Sequence, residues 1–330
     1  MSELRWNPIL REWVITATER QNRTFKPPAD YCPLCPSKDG FMTEVPEDYD
    51  LVVFENKFPS LKYSPPLPQI EDSVFYPVQE ARGICEVVLF TSKHNGVMSA
   101  EPLSRYLKLV KVWRDRYQEL GRLEQIDYVY IFENKGEEVG VTLEHPHGQI
   151  YAYPFIPPLI KKGLKSSQDY LDKRGRCLFC ALVEEEMEDG RRIIADNDSF
   201  VAFIPFFARY SYEVHLYAKK HLPSLQDFTA REERDLAALL KTVIMKYDNL
   251  FGFVFPYIMA IHQQPTNGTG QDYSHFHIEF YPPLRTSDKL KYLAGSELGA
   301  GVYINNALAE EKAIELREVE PRGCVYFAQD

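Results

Sequence analysis

Apolar residues recur along the chain with two periods, and the two periods follow one another in the same order twice. In the first half, LVVFENKF from Leu51 and CEVVLFTSKH ending at His94 are short aromatic and β-branched runs that predict strands. Leu103, Leu107, Val110, Trp113, Tyr117 and Leu120 then fall at helical spacing. IDYVYIFEN alternates apolar and polar residues, as a strand with one solvated face does, and HPHGQIYAYPF follows as a further strand. In the second half the series is FVAFIPFF from Phe200, YEVHLYAKKH ending at His221, a helix through Leu236, Leu239, Leu240, Val243 and Tyr247, then FPYIMAIHQ and HFHIEFYPP. Thr229 and Glu232 have the spacing of a capping box ahead of that second helix.

The two series predict an α+β protein of two tandem domains, each an antiparallel sheet with one packed long helix. The expected domains are 1–165 and 166–330, with the boundary in the Lys/Ser/Gly-rich stretch 161–176. The first half carries an extra Pro-rich stretch, 62–83, expected as a surface loop. Each half opens on a CxxC pair, Cys32–Cys35 and Cys177–Cys180, and the order CxxC, His, HxH recurs in both.

Composition narrows the function. The chain has 330 residues, 45% of them hydrophobic and 13% aromatic, enough for a sizeable core. A net charge of -10 argues against a nucleic-acid binder, which needs a basic footprint, but leaves room for a few local cations around one diphosphate. The first residues, MSELRWNPILREWVI, lack the unbroken apolar stretch of a signal peptide, and no apolar run is long enough to span a membrane. The expectation is a soluble, cytoplasmic protein. There, paired CxxC motifs read as metal or redox chemistry; Cys85 and Cys324 are left over as packing residues.

The repeat selects two sets of four candidate metal ligands: Cys32, Cys35, His94 and His145, and Cys177, Cys180, His221 and His275. Thiolate and imidazole in groups of four are the donors of structural zinc, and four protein ligands leave no open position for catalysis. In a strand, His145 and His147 project to the same side, about 7 Å apart. With His145 on the metal, His147 is held near it and is the candidate nucleophile toward phosphorus. Gly148 would let a phosphate approach the backbone, and Gln149 would offer an amide donor to a phosphoryl oxygen. HFHIE in the second half lacks the Gly and Gln, so His277 reads as a structural relic; His262 on the preceding strand could face it, with core packing favoured there over a third metal site.

HPHGQ with an upstream FENKG resembles the galactose-1-phosphate uridylyltransferases, a branch of the histidine-triad superfamily, over nearly the whole chain. The resemblance implies transfer of UMP from UDP-glucose to galactose 1-phosphate, with release of glucose 1-phosphate and a uridylylated His147 between the two steps. It implies Gln149 on the phosphoryl group and Asn134 in the active site. TERQNR resembles the family's paired arginines and gives Arg20 and Arg23 as phosphate or nucleotide contacts; FENKFP resembles the uridine loop and gives Asn56 and Phe58. KYLAGSELGAG resembles the hexose stretch and gives Lys291 and Glu297, which in relatives reach into the partner subunit of a homodimer. Some relatives bind iron at the second site through histidines matching His262, His275 and His277 and a glutamate about 16 residues beyond the nucleophile, which falls here at Gly163. The CxxC with His221 points instead to a second zinc, as in plant nucleotidyl phosphorylases. A nucleotidyl phosphorylase with an ADP-sugar or dinucleoside polyphosphate donor and phosphate as acceptor is the alternative activity, and a non-catalytic nucleotide-binding or zinc-scaffold protein the alternative class.

Overall fold

The computed structural model describes residues 2–23, 31–38 and 42–322. The first half contains β1 (Ser2–Asn7), β2 (Glu12–Ala17), β3 (Val52–Glu55), β4 (Val78–Glu80), β5 (Ile84–Leu89), α1 (Leu103–Gly121), β6 (Tyr128–Lys135) and β7 (His147–Tyr153). Then come α2 (Pro158–Arg174), α3 (Leu178–Asp189), β8 (Ile193–Asp196), β9 (Phe200–Phe203), β10 (Val214–Ala218), α4 (Ala230–Phe251), β11 (Tyr257–His262), β12 (His277–Tyr281), β13 (Leu284–Thr286), β14 (Lys289–Leu290) and α5 (Ala309–Glu318). No helix among the described residues is long and apolar enough to cross a membrane.

Each half supplies antiparallel strands and one long helix, and the two sheets continue into each other. The order β3-β5-β7-β6-β11-β12-β10-β9-β8 makes one nine-stranded sheet. The seam is the pairing of β6 with β11, from Tyr257 opposite Lys135 to Ile261 opposite Ile131. About this seam β7 mirrors β12 and β5 mirrors β10, so the two HxH strands flank the central pair.

Helices α1 and α4 cover one face. Tyr106, Val110 and Trp113 of α1, with Leu236, Leu240 and Val243 of α4, join Val129, Ile131, Ile150, Met259, Ile261, Ile278 and Phe280 of the sheet in a single core. The capping box of α4 is formed: Glu232 accepts from the Thr229 amide at 2.6 Å. The alternation in IDYVYIFEN therefore separates a helix-covered face from a face that opens into clefts, rather than from bulk solvent.

Cys85 is a packing residue as expected, and two stretches read as linker or loop hold more regular structure than the sequence suggests. The stretch read as a domain boundary is mostly helix: α2 begins on Pro158, ends at Gly175 in the left-handed region (φ 71°), and carries Lys165–Asp169 and Gln168–Asp172 pairs one turn apart. The Pro-rich insert is largely exposed, but its end forms β4, which pairs with β1 in a separate three-stranded sheet. Cys85 packs with Leu4, Leu61, Ala81 and Tyr151, whereas Cys324 lies outside the described residues.

Candidate active site and metal centres

His145 and His147 stand at the start of β7 on the face away from α1. His145 is fully buried, and its Nε2–H donates to the Thr91 carbonyl at 2.8 Å. A carbonyl only accepts, so the proton is on Nε2 and Nδ1 is free to face Cys35 Sγ, 3.8 Å away. Burial lowers the His145 pKa to about 4, which keeps the ring neutral. His147 repeats the arrangement with its nitrogens exchanged: Nδ1–H donates to the His145 carbonyl at 2.8 Å, and Nε2 carries the lone pair. Burial, reinforced by the Arg23 charge, holds the His147 pKa below the usual imidazole value.

His147 lies where two cavities meet. A small one is lined by Arg23, Asn56, Lys57, Phe58, Thr142 and Gln149. A larger one of about 360 Å³ is lined by Asn134, Lys135, the 94–98 turn and Val141. Asn56 sets its own loop, accepting from the Phe58 amide at 2.9 Å. Arg20 stands behind the small cavity, donating to the Phe58 carbonyl and the Tyr151 hydroxyl, each at 3.3 Å. Gly148 has a different role from the expected one. A Cβ there would lie 2.9 Å from the Phe90 ring and 3.2 Å from the Phe132 carbonyl, so packing on the helix side demands glycine.

The eight predicted metal ligands assemble in two groups of four, in each of which one donor atom per residue lies within 4.8 Å of the others. In the first, Nδ1 of His94 is buried without a hydrogen-bond partner, as a nitrogen intended for a metal would be. In the second, His275 Nε2–H donates to the Ala218 carbonyl at 2.9 Å, and its Nδ1 faces Cys177 Sγ at 3.6 Å and Cys180 Sγ at 3.8 Å. Backbone carbonyls thus fix the ring orientation in both groups, the usual support of a metal-binding imidazole. The two CxxC pairs are built differently: Cys177 caps the start of α3, whereas Cys32 and Cys35 lie in a turn.

The second half holds a mirror cleft of about 600 Å³. His277 Nδ1–H donates to the His275 carbonyl at 2.7 Å, as His147 does to His145. Its ring stacks on His262 with centroids 4.7 Å apart. Glu279, at the register position of Gln149, brings a carboxylate 3.5 Å from His277 and 3.6 Å from His262. Burial opposes ionisation of Glu279, yet the imidazoles of His215, His262 and His277 hold it well below the usual carboxylate range. His262, His277 and Glu279 form a third cluster of potential ligands. His275 sits with the cysteines and outside this cluster, in which Glu279 is the carboxylate.

Residues 1–157 match the family described as galactose-1-phosphate uridyl transferase, N-terminal domain, and residues 163–323 match its C-terminal domain. A galactose-1-phosphate uridylyltransferase of Thermotoga maritima is 42% identical over 321 residues, covering 97% of this chain and 99% of that protein. The chain belongs to the galactose-1-phosphate uridylyltransferase family. A solved structure titled as a uridylyltransferase superposes with a TM-score of 0.86 at 33% identity, over 96% of this chain and 98% of that one. An ADP-glucose phosphorylase from Arabidopsis thaliana with bound ADP-glucose shares the fold, with a TM-score of 0.73 at 24% identity, over 97% of this chain and 100% of that one. As a member of the uridylyltransferase family the protein is an enzyme, a nucleotidyltransferase.

Within this uridylyltransferase fold, the remaining expected residues divide. Asn134, Arg23, Asn56, Phe58 and Gln149 share cavities with His147. Lys291 and Glu297 line neither cavity; they pair with each other at 3.4 Å, and Lys291 lies over the Tyr210 ring of the second half. Sequence reasoning missed Lys57, Thr142, Tyr151 and Glu279. Tyr151 and Glu279 had a signal, since each falls on the same strand face as an HxH pair.

Proposed function

We propose that the protein transfers UMP from UDP-glucose to galactose 1-phosphate through a covalent uridylyl-His147. The observation that carries this is the His147–His145 carbonyl bond, which commits Nδ1 and leaves Nε2 unprotonated between a cavity holding Arg23, Asn56, Phe58 and Gln149 and one holding Asn134. In the first step Nε2 attacks the α-phosphorus, and the bond to glucose 1-phosphate breaks with its electron pair leaving on that oxygen. Arg23 and the Gln149 amide offset charge on the phosphoryl oxygens. No proton leaves the ring: Nδ1–H stays on the His145 carbonyl, which stabilises the positive charge that nitrogen–phosphorus bonding creates. In the second step a phosphate oxygen of galactose 1-phosphate takes the UMP, and Nε2 recovers its lone pair.

Zinc in the two Cys2His2 groups would brace the fold, the first group fixing His145 and through it the carbonyl that orients His147. The separation of Lys291 and Glu297 from His147 supports a homodimer in which these residues serve the partner's site.

Intact mass after mixing with UDP-glucose tests the reading. An increment of one UMP is expected, lost in His147→Ala. Full labelling of that variant would refute the nucleophile. Faster discharge by inorganic phosphate than by galactose 1-phosphate would make the enzyme a phosphorylase.

A further inference from the structure

The two ends of the Gln149 amide have opposite chemistry, and only the NH2 end assists a phosphoryl oxygen. Which end faces the cavity is set from behind. Tyr151 follows Gln149 by two residues and is only 8% exposed. Its hydroxyl stands 3.3 Å from Arg20 Nη1 and 3.5 Å from Gln149 Oε1, lengths usual for a site before its substrate arrives. A guanidinium has donors only, so the Tyr151 oxygen accepts from Arg20; the Ser60 hydroxyl and the Cys85 thiol also bond to it, and its hydrogen goes to the amide oxygen of Gln149, a stronger acceptor than a thiol. The acceptor there is Oε1, which leaves Nε2 for the cavity shared with His147 and Arg23. Burial pushes the Tyr151 pKa up, so the hydroxyl keeps its hydrogen at neutral pH.

Both members are held in place. The Tyr151 ring meets Phe132 edge-on at 5.2 Å, and Arg20 is anchored by the Phe58 carbonyl. A tyrosine and an arginine recur across the seam, with a carboxylate in place of the amide. Tyr281 follows Glu279 by two residues and donates to its carboxylate, and Arg209 lies over the Tyr281 ring at 4.7 Å. There the arginine also reaches the carboxylate directly, at 3.3 Å.

We infer that Arg20 and Tyr151 form a positioning relay that holds Gln149 with its amide donor turned toward the phosphoryl group; the relay rests on the transfer reading above. It gives Arg20, expected from the sequence as a phosphate or nucleotide contact, a further task that acts through two others, while Arg23 lines the cavity.

Tyr151→Phe removes the hydroxyl and keeps the ring. Single-turnover attachment of UMP from UDP-glucose is expected to slow about tenfold at saturating donor, with the half-saturating concentration within about twofold of the parent. In a Gln149→Ala background the same substitution is expected to change the rate less than about twofold, because no amide remains to be oriented. An equal tenfold loss in both backgrounds, or a thermal midpoint of Tyr151→Phe several degrees below the parent with no such split, would overturn the relay and leave the transfer reading intact. A parent protein that takes up no UMP would overturn that reading, and the relay with it.

Discussion

Glu133, one residue before Asn134, is a carboxyl with 5% exposure whose pKa is raised from 4.5 to about 7. Burial is the main cause; Asp248 adds to it, while Lys135 and the Tyr257 hydroxyl oppose it. Between those two values the folded state keeps a proton that the unfolded state has released. Stability from this group is therefore complete below pH 4.5 and lost as pH rises through 7, a change on the order of 3 kcal/mol at most. Glu133→Gln removes the dependence. Urea unfolding at pH 5 and pH 8 is expected to show the variant gaining on the parent at the higher pH; parallel changes would contradict it. Residues of the site were legible where spacing along one strand places them, as with His145, His147 and Gln149. The part played by Tyr151 was not, because it depends on Arg20, 131 positions earlier.

At the scale of elements, Lys246 ties the last turn of α5 to α4. Its Nζ is buried and donates to the carbonyls of Leu316, Arg317 and Val319 at 3.0, 2.9 and 2.7 Å. Those carbonyls end a helix and have no acceptor role within it. Lys246→Met is expected to cost about 1–3 kcal/mol and to speed hydrogen exchange in 309–318 more than in α1; uniform exchange would contradict the assignment. The long helices and the HxH strands could be read directly, since amphipathic spacing is local. Helix α2 could not: its Lys/Ser-rich composition resembles a linker, and only the Pro start, the Gly stop and the side-chain pairs one turn apart mark it as helical.

For the whole molecule, the repeat was visible as an ordered series of motifs, but the fusion of the two sheets was not. Pairing of β6 with β11 joins segments far apart in sequence, and neither strand carries a local mark of its neighbour. The two candidate metal groups are unequal all the same, because only the first holds the histidine whose carbonyl orients His147. Cys32→Ser is expected to abolish UMP attachment, because His145 and the carbonyl holding His147 lose their brace. Cys177→Ser should lower the melting temperature, yet leave attachment intact below it. Equal loss in both variants would show that the groups act as one structural unit.

The exchange of an amide for an acid at one register position has a final consequence. A nucleoside diphosphate nearing the face opposite α1 and α4 meets Arg23 and an amide donor at one entrance. At the other, Glu279 takes the place of that amide, already paired with Arg209 at 3.3 Å and facing His262 and His277. Two copies of one scaffold thus differ where phosphate would sit, and equilibrium dialysis is expected to find one equivalent of nucleotide per chain; two equivalents would contradict the asymmetry.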